Sequence, residues 1–408
     1  MAAILSYIPV VNKLVGQGAR EAVQIPSVEV HSIENSTDKR ARCLKHLIKG
    51  NHANYSVVYH NLEYDNHNPH ILSSAYLLGA SEDQLRDIYD SEIQELEEWK
   101  PSPSEVVDED WREFLGDKRY QRAFVDFFED KLYFNFSWDW KKEMSAYLFS
   151  GDEPLFHGLI GGLGHPLIHI GYAYEMDSKE IAMEALSLAC VQYNFFHKYL
   201  DDKSYTQPSP IATASPLDLL VRLSQDARFE KLPKNPSLDD LESIFKQHEP
   251  LLMEYWNGWE ITNPTEQFRL SQEAAVALLI ATVRPESKDY NFLLVHLLTT
   301  SHAVRVILPF IPSKHHITLL REWWLLVIAI FIVKGRPQPD ADNVENDVNG
   351  RDWKHVQDKA INSPWSKDAH YVKAIRAMKD AASTWGDSDE QYLRAALTFT
   401  DRFDGWKF

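Results

Sequence analysis

Apolar residues recur at helical rather than strand spacing along most of this chain. Pro69 stands in the first turn of one apolar stretch and Gly79 just past its end, the positions that these residue types favour in helices. Ser81 and Gln84 then form a capping-box pattern, which predicts a second helix running to about Trp99. These start and stop signals indicate helices joined by tight turns.

The remaining pattern is also helical. The segment from Asp177 to His197 is apolar on most faces, which predicts a long central helix. Strict alternation of apolar and polar residues, the pattern of a strand, is confined to Phe134–Trp140. Segments 203–215 and 335–352 carry turn-forming residues and are predicted loops. Further helices are predicted over residues 164–174, 216–225, 237–257, 267–283, 289–308, 314–333, 368–384 and 388–402.

Neither predicted loop separates two independent cores. We therefore predict an all-α fold with one large single helical domain. Residues 1–40 are expected to form an N-terminal extension that packs on the body, and residues 41–408 to form that body.

Signals for membrane insertion or export are weak. The strongest apolar run, Trp323 to Val333, is too short to span a bilayer and predicts a buried helix. The start of the chain lacks a basic region, and Pro9 and Lys13 interrupt its apolar stretch. The two cysteines have no metal-binding or disulfide-framework spacing, which favours a reducing compartment. We expect a cytoplasmic protein that does not enter membranes.

The composition limits the kinds of binding partner that we expect for this chain. The 408 residues are 44% hydrophobic and 25% charged, so the chain can bury a sizeable core, and its formal net charge is −18. Such acidity disfavours a broad cationic surface for nucleic acid or anionic lipid. We expect a small or neutral partner and no nucleic acid.

Several common catalytic motifs do not occur in the sequence. It lacks the glycine fingerprint of a Rossmann unit, the phosphate-binding GxxxxGK[ST] loop, the GxSxG nucleophile elbow and the HExxH zinc motif. The commonest nucleotide-dependent and hydrolytic classes are therefore disfavoured.

The unusual number is 17 histidines. His67 directly precedes the helix that Pro69 begins, where free backbone N–H groups and the helix dipole disfavour a protonated imidazole and keep the metal-binding form available. It could equally be a helix cap or a buried hydrogen-bond donor. His165 and His169 are four residues apart at the start of a helix, a spacing that allows a two-histidine metal grip. Either of them could instead pack structurally or face a substrate.

The C-terminal half supplies further candidates. His302 lies in a polar patch inside an apolar helix, as a hydrogen-bonded core residue or a distant ligand, whereas His296 is expected to point to another face. His370 and Lys373 share a helix face. A lysine beside histidines near a metal would tend to lose its proton and could take up carbon dioxide as an anionic carbamate ligand. The alternative is an exposed Lys373 paired with an aspartate.

Four segments together resemble a known family. They are residues 51–81 with the elements YHN, NHNPH and AYLLGAS, then LFHGLIGGLGHPLIHIGYAYE at 155–175, SHAVR at 301–305 and AHYVKAIRA at 369–377. These ordered motifs are similar to those of the questin oxidase-like family, whose best-known members are fungal polyketide-tailoring oxidases.

The resemblance implies a helical catalytic domain with a buried histidine-rich site between helices. It implies a non-haem iron oxygenase, with Fe2+ held by histidines and a carboxylated lysine, that uses O2 to cleave an anthraquinone-type ring of a small aromatic polyketide. The implied metal ligands are His67, His165, His169, His302, His370 and Lys373, with Lys373 and His370 as catalytic residues and His60 and His157 as substrate-binding residues.

Two alternatives remain open at this point. One is a flavin-independent Baeyer–Villiger monooxygenase that requires NADPH as reductant. The other is a metal-stabilised helical protein that binds a polyketide without transforming it. Net negative charge is compatible with all three, because a flat neutral substrate needs only an apolar aromatic pocket.

Overall fold

The computed structural model describes residues 22–232, 236–345 and 347–408, and α-helices dominate that part of the chain. The helices are α1 (Lys39–Asn54), α2 (Asn68–Leu78), α3 (Glu82–Glu92), α4 (Gln121–Phe134), α5 (Trp140–Leu148), α6 (Gly161–Met176), α7 (Lys179–Val191), α8 (Lys198–Asp201), α9 (Pro216–Gln225), α10 (Leu241–Gly258), α11 (Pro264–Ile280), α12 (Phe292–Ile307), α13 (His316–Val333), α14 (Trp353–Asn362), α15 (Ala369–Trp385) and α16 (Gln391–Arg402).

Strands are minor in the described ranges. β1 (Val58–Tyr59) pairs antiparallel with β2 (Tyr64–Asp65), and β3 (Tyr290–Asn291) pairs in parallel with β4 (Trp406–Lys407). Each strand has only two residues, too few to form a layer of their own. The predicted all-α fold, a large helical domain with a buried histidine cluster, is confirmed.

The capping signals in the sequence are confirmed in detail. Gly79 ends α2 in the left-handed conformation with φ of 102°, which glycine adopts without a steric penalty. Ser81 and Gln84 make both hydrogen bonds of the capping box at the start of α3.

Some predicted boundaries were wrong. α3 ends at Glu92 rather than near Trp99, and α7 ends at Val191 rather than at His197. The predicted strand 134–140 does not form, because α4 runs to Phe134 and the chain then turns into α5. Helices α1, α4, α5, α8 and α14 were not predicted. In α4, the exposed aromatic residues Tyr133 and Phe134 obscure the apolar face in the sequence pattern.

The centre of the molecule is formed by α6, α7, α12 and α13, which are buried almost throughout. Two segments, Phe292–Phe310 and Ser313–Val333, are long and apolar enough to cross a membrane by composition alone. However, 89% and 83% of their most apolar stretches, respectively, are buried inside the protein. The prediction that the run Trp323 to Val333 is a buried helix is confirmed.

The packing of the helices brings distant parts of the sequence together. α6 packs against α2, α7 and α12, and α15 packs against α2 and α12. Before α1, the backbone N–H of Val23 donates to Nδ1 of His316 at 3.1 Å, and that of His31 donates to the Glu175 carbonyl at 2.7 Å. Residues 22–38 thus lie against the body, whereas the first 21 residues of the predicted extension lie outside the described part. The division at residue 40 remains a prediction.

Candidate metal centre

Four imidazoles from four different helices converge in the interior. His67 caps α2, while His165, His296 and His370 lie on α6, α12 and α15. One ring nitrogen of each lies within 4.8 Å of the others. Nε2 of His165 is 2.8 Å from Nε2 of His67, and Nε2 of His370 is 3.2 Å from Nε2 of His296.

Local sequence explains the placement of two of the four histidines. His67 is the N-cap of α2, next to a proline in the first helical turn, and its backbone carbonyl accepts from the N–H groups of residues 70 and 71. His370 lies in the first turn of α15, which Asp368 caps by accepting from the backbone N–H of Tyr371. Both imidazoles therefore stand at helix starts, where the dipole disfavours a protonated ring.

His165 is positioned by a break in α6. Gly162, Leu163 and Gly164 have φ of 54°, 59° and 81°, the left-handed region, and regular helix resumes after them. A Cβ atom on Gly164 would lie 2.4 Å from the Thr300 side chain, so α6 and α12 approach closely only with glycine there. The break turns the Gly162 carbonyl toward Nδ1 of His165.

Backbone carbonyls fix the tautomers of two of these rings. Nδ1 of His165 faces the Gly162 carbonyl, with the Asp65 carboxylate at 3.3 Å, and Nδ1 of His296 lies 2.9 Å from the Phe292 carbonyl. A carbonyl oxygen only accepts, so Nδ1 carries the proton in both rings. Their Nε2 lone pairs therefore point into the cluster, the arrangement seen when histidine holds a metal and its other nitrogen binds an outer partner.

Burial keeps the cluster neutral. It lowers the pKa of His67, His296 and His370 well below the usual value, and the nearby charge of Lys373 lowers it further. The pKa of His165 is also lowered, mainly by burial, although Asp65 opposes the shift. Several converging lone pairs without protons repel one another, and a bound cation removes that repulsion.

Lys373 is the charged neighbour of the cluster. It lies one turn beyond His370 on α15, is 1% exposed, and its Nζ has no hydrogen-bond partner among the described residues. Burial lowers its pKa to about 7, although Asp368, Asp65 and Glu92 oppose the shift. A lysine with such a pKa is partly neutral at physiological pH and nucleophilic.

Two of the predicted metal ligands lie elsewhere. His169 is one turn along α6 from His165, but its Nδ1 contacts Nε2 of His70 at 2.7 Å and its Nε2 faces Glu184 at 3.6 Å. His302 has Arg376 on Nε2 and Asp380 3.4 Å from Nδ1, so both of its nitrogens face charged partners. The structure thus brings together His67, His165 and His370, adds His296, and has Lys373 beside them.

His296 was not among the implied ligands. As expected from a spacing of six residues, the rings of His296 and His302 face different directions, but it is His296 that lies in the cluster. Its sequence signal was a lone histidine in the apolar run of α12, a position that requires a specific partner because the ring is fully buried.

The two predicted substrate-binding histidines are peripheral. His60 is exposed in the turn between β1 and β2, where its ring lies 5.2 Å from that of Tyr64. His157 is half-buried and its Nδ1 contacts the Asp201 carboxylate at 2.6 Å. Neither is among the described residues that line the cavity next to the cluster.

That cavity has a volume of about 760 Å³, within the usual range for small-molecule sites. Asp65 and Gly162 line this cavity and also contact Nδ1 of His165, so these two residues lie between the cavity and that ring. About two thirds of its remaining wall is apolar, including Leu163, Phe195, Phe196, Leu293, Leu326, Ile330 and Phe408. The rest is polar or charged, including Glu63, Lys118, Gln192, Asn194, Asp239 and Lys334.

The donor set fits a first-row transition metal. Neutral imidazole suits iron, copper, nickel and zinc, and an all-nitrogen set does not suit magnesium or calcium, which prefer oxygen. The four histidines come from positions as distant as 67 and 370, so the complete fold is needed to assemble them.

Comparison with known proteins gives a consistent family. The family model described as questin oxidase-like matches residues 64–378. A Baeyer–Villiger oxidase from Pestalotiopsis microspora is 23% identical over 413 residues, which cover 94% of this chain and 88% of the relative. A second Baeyer–Villiger oxidase, from Emericella nidulans, is 23% identical and covers 85% of this chain and 82% of its own length. A questin oxidase from Aspergillus fumigatus is 27% identical over 211 residues, 47% of this chain and 45% of the relative.

Proposed function

The chain belongs to the questin oxidase-like family, and from this premise we propose that it is a non-haem iron-dependent oxygenase that cleaves an anthraquinone-type ring of a polyketide. An oxidoreductase activity is supported by the relatives, which are Baeyer–Villiger oxidases and questin oxidases. The iron-dependent ring cleavage is supported by the convergence of four imidazoles, three of them buried, beside a lysine of lowered pKa.

His67, His165, His296 and His370 would hold the iron. The set differs from that implied by the resemblance, because His169 and His302 have other partners in the structure. When bound, iron supplies the redox chemistry that lets O2 react with a closed-shell aromatic substrate. The protein contributes the orientation of the rings, through the carbonyls of Gly162 and Phe292 and the carboxylate of Asp65.

Lys373 would provide the anionic ligand. Its Nζ is buried and without a hydrogen-bond partner in the described residues, an arrangement costly for an ammonium ion. Nucleophilic attack of the neutral amine on carbon dioxide forms an N–C bond and, after loss of one proton, a carbamate. That group replaces a buried cation by an anion, which would partly balance the charge of the metal.

The cavity of about 760 Å³ would bind the substrate. Its apolar side chains suit the faces of a flat aromatic ring system, and Gln192 offers a hydrogen-bonding group to a phenol or quinone oxygen. Gln192 is itself held by Asp65, whose Oδ1 accepts from its Nε2 at 2.8 Å. One hydrogen-bonded unit would thus connect the substrate to the ring of His165.

Metal analysis combined with oxygen uptake tests the proposal. We expect about one iron per chain and oxygen consumption on addition of questin, with loss of iron in Lys373→Ala. Carbon-13 carbonate should give a carbamate signal in the wild-type protein but not in that variant. Full oxygen consumption by metal-free protein contradicts the iron-dependent activity, whereas a normal iron content in Lys373→Ala contradicts only the lysine ligand.

The names of the relatives favour a Baeyer–Villiger oxidation as a second candidate. In this second proposal the enzyme is a flavin-independent monooxygenase that requires NADPH. Oxygen isotope labelling separates the two. Strict NADPH dependence, with one atom of O2 in the product and one in water, supports the monooxygenase. Tight binding of questin without oxygen consumption would indicate the non-catalytic binding protein. For each candidate we propose a cytoplasmic location.

A further inference from the structure

A row of five ionisable side chains connects the neighbourhood of the four-histidine cluster to the protein surface. Each member comes from a different helix, so the row is a product of the tertiary fold rather than of a local repeat. Its members, from inside to outside, are His70 on α2, His169 on α6, Glu184 on α7, His52 on α1 and Glu129 on α4.

The inner part of the row is fully buried. The ring of His70 lies 5.5 Å from that of His67 between centroids, and its Nε2 is 2.7 Å from Nδ1 of His169. Nε2 of His169 then faces Oε2 of Glu184 at 3.6 Å, which is longer than a hydrogen bond, so passage of a proton here requires the two side chains to move closer. At the inner end, Nδ1 of His70 is buried and has no hydrogen-bond partner among the described residues.

The outer part reaches solvent. Oε1 of Glu184 is 3.0 Å from Nδ1 of His52, and Nε2 of His52 is 3.0 Å from Oε1 of Glu129. The side chain of Glu129 is 45% exposed. His52 and Glu129 line a surface cleft of about 540 Å³, together with Lys49 and Lys179.

The donor and acceptor atoms are arranged so that a proton could pass along the row. His169 and His52 each use one ring nitrogen toward the cluster and the other toward the surface. Glu184 likewise has one oxygen on each side. An imidazole that accepts a proton on one nitrogen can release another from its second nitrogen, so a charge passes through while the ring stays in place.

We propose that His70, His169, Glu184, His52 and Glu129 form a proton relay between the four-histidine cluster and solvent. It rests on the proposed function, because an oxidation at the buried cluster would release protons that have to reach solvent. Each passage breaks one N–H or O–H bond as the next one forms. One proton enters at His70, one leaves at Glu129, and no electrons move.

The simpler account of the same residues is a structural ion pair, with His52 between two carboxylates. That account explains Glu184, His52 and Glu129. It does not explain why His70 and His169 continue the row inward from Glu184 toward the cluster. A fully buried carboxylate such as Glu184 is costly to retain for stability alone.

Proton exchange at His169 tests the relay without any turnover. In full-length chain kept free of paramagnetic metal, the ring N–H of His169 should exchange with water rapidly despite complete burial. Glu184→Gln, which preserves size but cannot pass a proton, should slow this exchange about tenfold or more. The surface variant Glu129→Gln should slow it less and tests the same path should the buried variant fail to fold.

Glu143→Gln is the matched control, since Glu143 is equally buried on α5 but lies outside the row. It should leave the exchange unchanged. Unchanged exchange in both Glu184→Gln and Glu129→Gln overturns the relay. Absence of iron and of oxygen uptake in the wild-type protein would contradict the proposed function and leave this result intact.

In iron-loaded protein, Glu184→Gln should lower kcat on questin about 10- to 100-fold without lowering iron content. His52→Ala opens the outer end of the row to the cleft, so free imidazole in the buffer should restore most of its lost kcat. If the row is only a structural ion pair, imidazole will not restore the kcat of His52→Ala. In that case Glu184→Gln will also have the same solvent isotope effect on kcat as the wild-type protein.

Discussion

Helices α12 and α15 carry two buried polar regions about two turns apart, and the regions have opposite character. In the first, His296 and His370 direct nitrogen atoms at each other with no acid between them. In the second, His302 lies between Arg376 and Asp380, and Arg376 also binds Glu175. The same residue type is thus an available ligand at one point of a helix and a fully engaged partner at the next.

The two regions differ in whether their buried charges are paired with opposite charges. Burial and the charge of Arg376 lower the pKa of His302 to about 4, while hydrogen bonding to His302 and the charge of Arg305 outweigh burial and hold the pKa of Asp380 well below its usual range. Every charge of this second region has an opposite charge beside it. The first region has four neutral imidazoles and one lysine, and it becomes complete only with an added cation.

The largest expected effect separates the two histidines of α12. Under the proposed function, His296→Ala removes a direct iron ligand. It should therefore abolish iron binding and reduce oxygen consumption more than about 100-fold, whereas loss of an outer partner costs about 10- to 100-fold. Iron analysis and oxygen uptake measure it.

His302→Gln provides the comparison for that experiment. It should keep the iron, because His302 faces Arg376 and Asp380 rather than the cluster. Equal iron loss in both variants would show that the two regions are not separate.

The second prediction concerns the charged region. Arg376→Met leaves Glu175 and Asp380 buried with less compensation, and should lower the free energy of unfolding by about 3–5 kcal/mol. Denaturant unfolding measures the loss. Arg86→Met, which removes exposed ion pairs on α3, should change it by less than about 1 kcal/mol. A small effect for Arg376→Met would mean that this region does not depend on paired charges.

The third prediction uses another acid-paired histidine, His52. Burial alone would lower its pKa, but hydrogen bonds to Glu129 and Glu184 outweigh it and raise the pKa to about 9. A pKa raised on folding stabilises the folded state below the unfolded value of 6.5 and stops doing so as the pH rises through about 9.

The stability difference between wild type and His52→Gln should therefore be largest near pH 6, on the order of 3 kcal/mol, and decline up to pH 9. Unfolding at a series of pH values measures it, with the exposed His46→Gln on the same helix as the control. A difference that stays constant with pH would contradict the paired state of His52. Lys49 and Lys179, which line the adjacent cleft, each form an ion pair with Glu180.

The smallest expected effect concerns the outer support of the cluster. Asp65→Asn removes the carboxylate beside Nδ1 of His165 and should weaken iron binding about 10- to 100-fold, as measured by competition with a chelator. Asp201→Asn changes the carboxylate that contacts His157 and His197 and should leave iron binding unchanged. Equal weakening in the two variants would rule out a specific role for Asp65.

Much of the fold follows from local signals in the sequence. The cap at Gly79, the capping box at Ser81 and the helix boundaries of α9 are encoded by neighbouring residues. The site was only partly predictable because it depends on contacts between distant segments rather than on neighbouring residues. Spacing along α12 indicates that His296 and His302 face different directions, but which of them faces α2 and α6 depends on tertiary packing that spacing alone does not determine.

His169 shows the same limit. A spacing of four residues places it on the same face of α6 as His165, yet α2 and α7 present His70 and Glu184 to it. The family motifs contain three of the four clustered histidines, His67, His165 and His370, whereas His296 lies outside the motif at 301–305. Lys373 was found from the sequence because it shares a helix face with His370, but the spacing alone leaves open whether that face is exposed or buried, and only the structure shows that Lys373 is buried.

The wide separation of the four histidines along the chain has a consequence for how the protein matures. The first of these histidines precedes the last by about three quarters of the sequence, so a nascent chain contains the complete set only after residue 370 has been made. Long-range contacts of this kind form late in folding. An ion that binds only the finished arrangement favours it over every earlier intermediate by mass action. Metal supply would then act as a checkpoint on the newly made chain, separating mature molecules from incomplete ones.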